Sequence, residues 1–574
     1  LCLIATLLLL LTYSNSFENT FQYDDFHVIV HNTSLKDPSF LKKLIVDFIK
    51  GIGENRLLFM ASFSFNYLLG GINVLGYHLL NTIIHIFSSI LVYFSTLHFL
   101  ASPHRIDDPL LSKVFIAPRA KEEKDFMREK LISLFVALIF ALHPVQTEAV
   151  AYITGRSSSL VGLFYLLSFF LYLKYRLLEK NFLLFLSFVT YVCALFVKES
   201  AITFPVVIIV FELMFYRKRS WNRHISPISV YLGLTLLFLL NRLRFLGSLS
   251  IYQSLATEGQ PIRPLYDHLI TQPRAWIHYL GTLLMPLNLS VDYSFPVYHS
   301  LFESEVIFSL IVLITLAIII LIISKTNRIV GFFSLWFAIN LLPTNSVLAL
   351  EDIVTDRWLY LSTAGFAVIL GILTERLFQL VAANGNRISK IIFFFLCFLF
   401  IELYSYGTLM RNLTWGNYRA LWADTASKAP ASVRAHLGLG IGLSQEGRIE
   451  EAIREYKKAL QLNPKVGEAY LNLSHAYLNL GRFEEAIDAS KRAIVLQPKL
   501  ASAAYNNLGL AYFEQGLLDE AQEEFQRAIS LKLGNDAPYY NLGLIYDRKG
   551  DIDQAISNME RAIDYNPDYF LAWE

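Results

Sequence analysis

The sequence predicts an all-α protein in which a polytopic transmembrane bundle of about eleven helices precedes an α-solenoid of paired helices. Two observations support this prediction. Of the 574 residues, 54% are hydrophobic and 17% are charged, whereas about 25% are charged in a typical soluble domain. From Ser432 a pattern of Gly, Ala and aromatic residues recurs about every 34 residues, the period of tetratricopeptide repeats. We therefore expect a membrane domain at 1–410, a connector at 411–432 and repeats at 433–574.

Apolar runs that approach the roughly 20 residues needed for a span define the membrane domain. Leu1 lies inside such a run, so we interpret 1–13 as the tail of a first spanning helix. The stretch 275–290 is apolar but short and interrupted by Pro286, so we expect it to be interfacial or re-entrant. The predicted spans are 1–13, 76–100, 131–150, 158–174, 181–197, 201–216, 226–246, 304–324, 329–343, 357–380 and 390–410.

The distribution of Lys and Arg between the loops predicts the orientation in the membrane. If the first helix leaves the cytoplasm, the basic loops at 101–130, 174–180, 217–224, 325–328 and 384–390 are all cytoplasmic. The first outside loop, 14–56, and the repeats then share the non-cytoplasmic face, because the number of helices is odd. The net charge of +1 gives no bulk attraction to nucleic acid, and three cysteines in apolar runs predict no disulfide framework.

The solenoid is predicted from four units in register, with 570–574 resembling the start of a fifth. These units begin at Val433, Gly467, Ser502 and Asp536. Their sixth place holds Asn472, Asn507 and Asn541 in the second to fourth units. An amide offers both a donor and an acceptor, so these three side chains could bind the backbone of an extended acceptor peptide. Alternatively, Asn at this place only stabilises the helix pair.

Polar residues gather at the predicted non-cytoplasmic ends of the spans, where charges are costly and by default mark function. Cations can stabilise the anionic leaving group of a lipid-linked sugar phosphate, and a carboxylate can take the proton of an acceptor hydroxyl. A carboxylate pair could instead hold a divalent cation. The candidates are Asp24, Asp25, His143, Glu148, Arg156, Lys198, Glu199, Arg242, Asp356 and Arg357.

Several of these candidates also have a purely structural explanation. Asp24 and Asp25 could be ordinary loop acids, and Lys198 with Glu199 could be an ion pair at a helix end. Arg242 could extend its charge to the interface. His143 could cap a kink before Pro144.

The motifs, in their order, resemble those of the transmembrane and tetratricopeptide-repeat-containing O-mannosyltransferases and their prokaryotic relatives. The resemblance rests on FQYDD at 21–25, GYH at 76–78, HPVQTEAVAYITGR at 143–156 and RWLYL at 357–361. It implies a GT-C glycosyltransferase fold, a polyprenyl- or dolichyl-phosphate mannose donor, and transfer to Ser or Thr hydroxyls of a protein. A compact loop at 271–293 resembles the prokaryotic members, which implies a plasma membrane location, or the ER membrane for a eukaryotic protein.

The resemblance also suggests roles for the candidate residues. It places the catalytic acid in the Asp24 and Asp25 pair and leaves open which of the two acts. The donor-phosphate candidates are Arg242, Arg357, Lys198 and His143, and the supporting candidates are Glu148, Arg156, Glu199 and Asp356.

Two other functions remain open from the sequence. One is a non-catalytic, membrane-anchored repeat scaffold for envelope assembly, and the other is a GT-C enzyme that acts on a glycan or a lipid. The acid pair and the clustered cations favour catalysis, because a scaffold needs neither inside a membrane.

Overall fold

The computed structural model describes residues 2–37, 39–40, 42–44, 46, 56–101, 123–216, 221–246, 263–343, 352–383, 385–531 and 536–565. These residues form helices and connecting turns without a strand, so the all-α prediction is confirmed. The chain divides into two compact units. The first comprises Leu1–Val291 with Phe295–Asn417, and the second comprises Asp292–Ser294 with Tyr418–Glu574.

The first unit is a helical bundle whose helices are named here in chain order. They are α1 (Cys2–Tyr13), α2 (Leu57–Gly70), α3 (Val74–Ala101), α4 (Glu123–Leu142), α5 (Thr147–Val150), α6 (Arg156–Leu178), α7 (Asn181–Val197), α8 (Phe204–Phe215), α9 (Trp221–Leu246), α10 (Leu265–Leu284), α11 (Ser304–Thr326), α12 (Arg328–Leu341), α13 (Tyr360–Ala383) and α14 (Arg387–Thr414).

Five segments in the described part of the chain are long and apolar enough to cross a membrane. They are Val74–Ala101, Arg156–Leu178, Ser304–Thr326, Asp356–Ala383 and Arg387–Thr414. A sixth candidate is the pair Met127–Leu142 and Pro144–Val150, which is bent by 49°. The protein is therefore an integral membrane protein, and the predicted total of about eleven spans stays a prediction.

The structure differs from the predicted spans at three places. The predicted span 131–150 is broken, because Pro144 ends the α-helical hydrogen bonding after Leu142. The stretch at 275–290 is not a separate short segment, since α10 begins at Leu265. Between the predicted outside loop at 14–56 and the predicted span at 76–100, α2 is an apolar helix that the sequence analysis missed. Fourteen residues are too few for a perpendicular span.

The second unit contains α15 (Tyr418–Lys428) and then helix pairs. The pairs are α16 (Val433–Gln445) with α17 (Ile449–Leu462), α18 (Gly467–Asn479) with α19 (Phe483–Leu496), α20 (Ala501–Glu514) with α21 (Leu518–Ser530), and α22 (Ala537–Arg548) with α23 (Ile552–Tyr565).

Close helix approach explains the small residues that recur in each unit. A Cβ added to Gly440 would lie 2.4 Å from the Tyr456 ring, and one added to Gly509 would lie 2.6 Å from the Phe525 ring. Each pair buries its apolar face against its partner and its neighbours, as expected for a solenoid. The tetratricopeptide-repeat prediction is confirmed.

Candidate functional site

The two acids of the first loop have different environments. Asp24 is exposed, and its backbone N–H donates to the Tyr152 hydroxyl over 3.1 Å. Asp25 is fully buried, and its two carboxylate oxygens accept the backbone N–H groups of Thr154 (2.8 Å) and Gln22 (2.9 Å). Asp25 therefore ties the loop to the segment after α5, while the Asp24 carboxylate stays accessible.

The segment between α1 and Asp25 is held in place by the end of α14 and the residues that follow α14. Asn19 donates to the Asn412 carbonyl over 3.2 Å, and the Thr20 N–H donates to the Gly416 carbonyl over 3.2 Å. The Trp415 indole stacks on the Tyr152 ring with centroids 5.2 Å apart. Residues that lie far away in the sequence therefore hold the backbone of the loop that carries the acid pair.

His143 lies at the break between α4 and α5 rather than among the cations. It is fully buried; its Nδ1 accepts the Val145 N–H over 3.2 Å, and its Nε2 lies 3.0 Å from the Leu283 carbonyl, to which it donates. Both ring nitrogens are therefore satisfied by the backbone. This geometry favours the kink-capping explanation over the predicted binding of phosphate.

Arg156 is also fully buried, and its guanidinium bonds to groups of several segments. Its guanidinium donates to Asn81 Oδ1 (2.6 Å) and to the carbonyls of Ser62 and Tyr77 (both 3.1 Å), and it lies over the Phe63 ring. The Asn81 amide in turn donates to the carbonyl of Val150, the last residue of α5, and to those of Tyr152 and Ile153 in the turn that follows. Arg156 therefore supports the turn that carries Tyr152 and Thr154, and does not reach the site surface.

Glu148 and Arg357 form an ion pair at the core of the candidate site. The Arg357 guanidinium lies 3.3 Å from Glu148 Oε1, and the Arg357 backbone N–H donates to Oε2 over 3.1 Å. Asp352 approaches the same guanidinium at 3.7 Å. The Arg357 side chain stays 23% exposed, so it can meet a ligand, and Asp24 lies within its electrostatic reach. Asp356 beside it is buried.

A second group of charges lies at the end of α7. Lys198 Nζ donates to Ser158 Oγ over 3.0 Å, and Glu199 pairs with Arg56, the residue before α2, over 3.1 Å. Burial, helped by Arg357 and Arg56, lowers the pKa of Lys198 to about 7. For Glu199, burial alone would raise the pKa, but Arg56, Lys198 and Arg242 lower it to about 2.

Four cations thus interact electrostatically with Lys198, with Glu199 or with both, and we call this group the cation cluster. Its members are Arg56, Lys198, Arg242 and Arg357. Three of the predicted donor-phosphate residues, Arg242, Arg357 and Lys198, belong to this cluster. Glu148 pairs with Arg357, and Glu199 pairs with Arg56. Sequence reasoning did not assign Arg56 or Asp352 to the site, because neither belongs to a motif that suggested a role.

Burial raises the pKa of Asp25 to about 7, against the opposing effect of the Gln22 and Thr154 amides. Among the described residues no three His, Cys, Asp or Glu side chains converge as a metal site would require. Each oxygen of Asp25 accepts one backbone N–H group, whereas the Asp24 carboxylate is exposed. Chemically, the site combines one accessible carboxylate with three arginines and Lys198.

The three asparagines of the solenoid are not equivalent. Asn541 donates its amide to Asn506 Oδ1 over 2.9 Å. Asn507 is 9% exposed, and the Asn472 amide nitrogen is buried without a hydrogen-bond partner among the described atoms. Asn541 therefore fits the structural explanation, while Asn472 keeps unused hydrogen-bonding capacity.

The fold and the site together define an integral membrane protein with tetratricopeptide repeats and a compact charged centre. Two tetratricopeptide-repeat family models match residues 443–508 and 500–567. A protein O-mannosyl-transferase of Caenorhabditis elegans is 25% identical over 80% of this chain and 62% of its own length. Protein O-mannosyl-transferase TMTC4 of Homo sapiens is 27% identical over 77% of this chain and 64% of its own length.

Among solved structures, the crystal structure of MamA aligns with 26% of this chain and 86% of its own length, at 32% identity and a TM-score of 0.24. The chain is related to the transmembrane and tetratricopeptide-repeat-containing protein O-mannosyl-transferases, which confirms the predicted resemblance. It spans about three fifths of the length of these curated relatives.

Proposed function

We propose that this protein transfers a mannosyl residue from a polyprenyl- or dolichyl-phosphate carrier to Ser or Thr hydroxyls of a protein at the non-cytoplasmic membrane face. The observation that carries the proposal is the exposed Asp24 carboxylate, on a loop that is bonded to the bundle and lies within electrostatic reach of Arg357, a member of the cation cluster. The names of the related proteins support the sugar and the type of acceptor.

In the proposed reaction, the acceptor oxygen attacks the anomeric carbon of the sugar. Asp24 takes the proton of the hydroxyl as the new glycosidic bond forms. The bond from the anomeric carbon to the phosphate oxygen breaks, and the lipid phosphate leaves with one additional negative charge. Arg357, Lys198 and Arg242 would stabilise that developing charge, while Glu148 and Glu199 hold two of the cations in position.

Binding of the donor tests the proposal before any transfer is measured. The purified protein in nanodiscs should bind polyprenyl-phosphate mannose and should not bind a soluble nucleotide-linked mannose, which lacks the lipid chain. Binding of the nucleotide sugar with no affinity for the lipid-linked one would contradict the proposal. A scaffold for envelope assembly would bind neither.

The proposed orientation is tested separately by cysteine labelling in sealed vesicles. Single cysteines introduced at Asp24 and at the exposed Glu514 should both be labelled from the non-cytoplasmic side. The reason is that loops rich in Lys and Arg stay in the cytoplasm, and both positions are predicted to lie on the opposite face. The native cysteines are first replaced by serine. Labelling of the two positions from opposite sides would refute a shared face.

Donor affinity should depend on pH through Lys198. Its pKa is about 7, and only its protonated form attracts phosphate, so donor affinity should fall as pH rises above 7, by up to about tenfold per unit. The donor phosphodiester itself carries a constant charge in this range. Because the pKa of Asp25 is also about 7, a variant is needed that changes only the titration of Lys198. In Lys198→Arg the positive charge persists above pH 7, so the fall of donor affinity with pH that Lys198 causes should disappear. An unchanged profile in that variant would exclude Lys198 from the phosphate site.

The repeats are proposed to bind the acceptor through their asparagines. Changing Asn472, Asn507 and Asn541 together to Ala should weaken transfer to a long protein acceptor, because a lost hydrogen bond to a buried partner costs about 1–3 kcal/mol. Transfer to a very short peptide should survive. The control is Asn541→Ala alone, which reports the structural cost of its bond to Asn506. Equal loss on both acceptors would show a structural role only.

A further inference from the structure

The helices α7 and α9 run parallel with a constant register. Ser187 Oγ lies 2.7 Å from the Tyr231 hydroxyl, and the Tyr191 hydroxyl lies 2.5 Å from Thr235 Oγ1. Both pairs are 44 residues apart in the sequence, so one turn along α7 corresponds to one turn along α9. We call the line along which α7 and α9 face each other the seam. The two hydroxyl pairs close the seam as far as Tyr191 and Thr235.

The same register leads to the charged centre. Extended by one turn, the same offset of 44 residues aligns Leu195 with Leu239, and it aligns Lys198, the residue after α7, with Arg242. Leu195 is 3% exposed, but Leu239 is 40% exposed, and Arg242 is only half-buried. The seam is therefore closed at Tyr191 and Thr235 and open from Leu239 to Arg242, which lies about 10 Å along α9 from Thr235 at 1.5 Å per residue.

The open part of the seam is apolar on one side and positive at its end. Leu236, Leu237 and Leu240 of α9 are exposed by 57%, 65% and 48%. Arg242 lies close enough to Glu199 to lower the pKa of that carboxyl group, so it belongs to the cation cluster. An apolar chain that ends in an anionic phosphate is complementary to this arrangement.

We infer that the seam between α7 and α9 is the lateral entrance for the isoprenoid chain of the donor, with the donor phosphate between Lys198 and Arg242. This inference rests on the proposed function for the nature of the lipid. The chain lies against Leu239 and the exposed leucines beside it, and its sugar faces the centre formed by Arg357 and Asp24. The closed hydroxyl pairs limit how far the chain follows the seam between the helices.

Photolabelling tests the inference without requiring turnover. The protein in nanodiscs is incubated with polyprenyl phosphate carrying a diazirine on the isoprene unit next to the phosphate, and labelled residues are mapped by mass spectrometry. Label should concentrate on 236–240 and fall at least fivefold with excess unlabelled polyprenyl phosphate. The matched control is the first half of α11, where Phe308 and Ile311 are exposed by 62% and 58% but the first turn carries Glu305. Ile318 lies further along the same helix and is exposed by 53%. Equal labelling of both helices, or labelling without competition, would show ordinary membrane lipid and overturn the inference.

A kinetic experiment separates the seam from the proposed function. Leu239→Trp should fill the entrance and raise the KM for a long-chain donor at least fivefold with little change in kcat, whereas Ile318→Trp should leave both unchanged. An unchanged KM in Leu239→Trp overturns the seam while leaving the proposed function standing. If no donor is turned over by the parent protein, the proposed function fails, and the photolabelling alone decides whether the seam binds prenyl phosphate.

Discussion

Replacing Asp24 by Asn should lower the rate of mannosyl transfer by about a hundredfold or more while leaving the thermal stability unchanged. The amide keeps the size of the side chain but cannot accept the proton of the attacking hydroxyl, and general base catalysis typically contributes a factor of 10²–10⁴. Because Asp24 is exposed and its side chain makes no described hydrogen bond, the fold does not depend on it. Transfer rates and melting curves of the parent and the variant measure both expectations.

Asp25→Asn is the matched control for this experiment. One oxygen of Asp25 would become an NH₂ group facing a backbone N–H of Gln22 or Thr154, so one hydrogen bond would be lost and two donors would oppose each other. We expect a stability loss of about 1–3 kcal/mol together with reduced transfer. Near-normal transfer by Asp24→Asn, with transfer abolished by Asp25→Asn at unchanged stability, would reverse the assignment of the two acids.

Replacing Arg357 by Ala should have the second large effect, on both stability and catalysis. Glu148 is 5% exposed and would lose the cation that it pairs with, and removing one partner of a buried ion pair typically costs about 3–5 kcal/mol. Loss of a group that stabilises charge in the transition state typically lowers kcat by a factor of about 10²–10³. Unfolding experiments and single-turnover transfer would report the two losses independently.

The double variant Arg357→Ala with Glu148→Gln separates these two roles of Arg357. Removing the unpaired charge of Glu148 should restore much of the stability, because the remaining amide can be buried at lower cost. Transfer should not recover, since the donor phosphate still lacks its cation. Recovery of transfer together with stability would show that Arg357 acts only as the structural partner of Glu148.

The sequence predicted those parts of the structure that depend on local composition. The span at 181–197 coincides with α7, and the repeat period located all four helix pairs. The helix α2 was missed because its fourteen residues are shorter than a span. The break at His143 was foreseen only as an alternative, because Pro144 is compatible with either a kink or a boundary.

Three residues of the cation cluster could be named from the sequence, but the environment of each candidate could not. Lys198, Arg242 and Arg357 could be grouped because the predicted topology puts them on one membrane face. Arg156 could not be distinguished from them, since its burial depends on Asn81 and Ser62, which lie far away in the sequence. The same holds for the two acids, which are adjacent in sequence and differ only through long-range contacts with Tyr152 and Thr154.

The most direct test of the central proposal is transfer from a defined donor to a defined acceptor. The purified protein is reconstituted with polyprenyl-phosphate mannose and an unfolded, Ser- and Thr-containing acceptor protein, with Asp24→Asn as the control. We predict that mass spectrometry will find single hexoses on Ser and Thr of the acceptor, at least a hundredfold more with the parent protein. A parent protein that binds the donor but yields neither transfer to the acceptor nor hydrolysis by water, or an Asp24→Asn variant that transfers as well as the parent, would contradict the account.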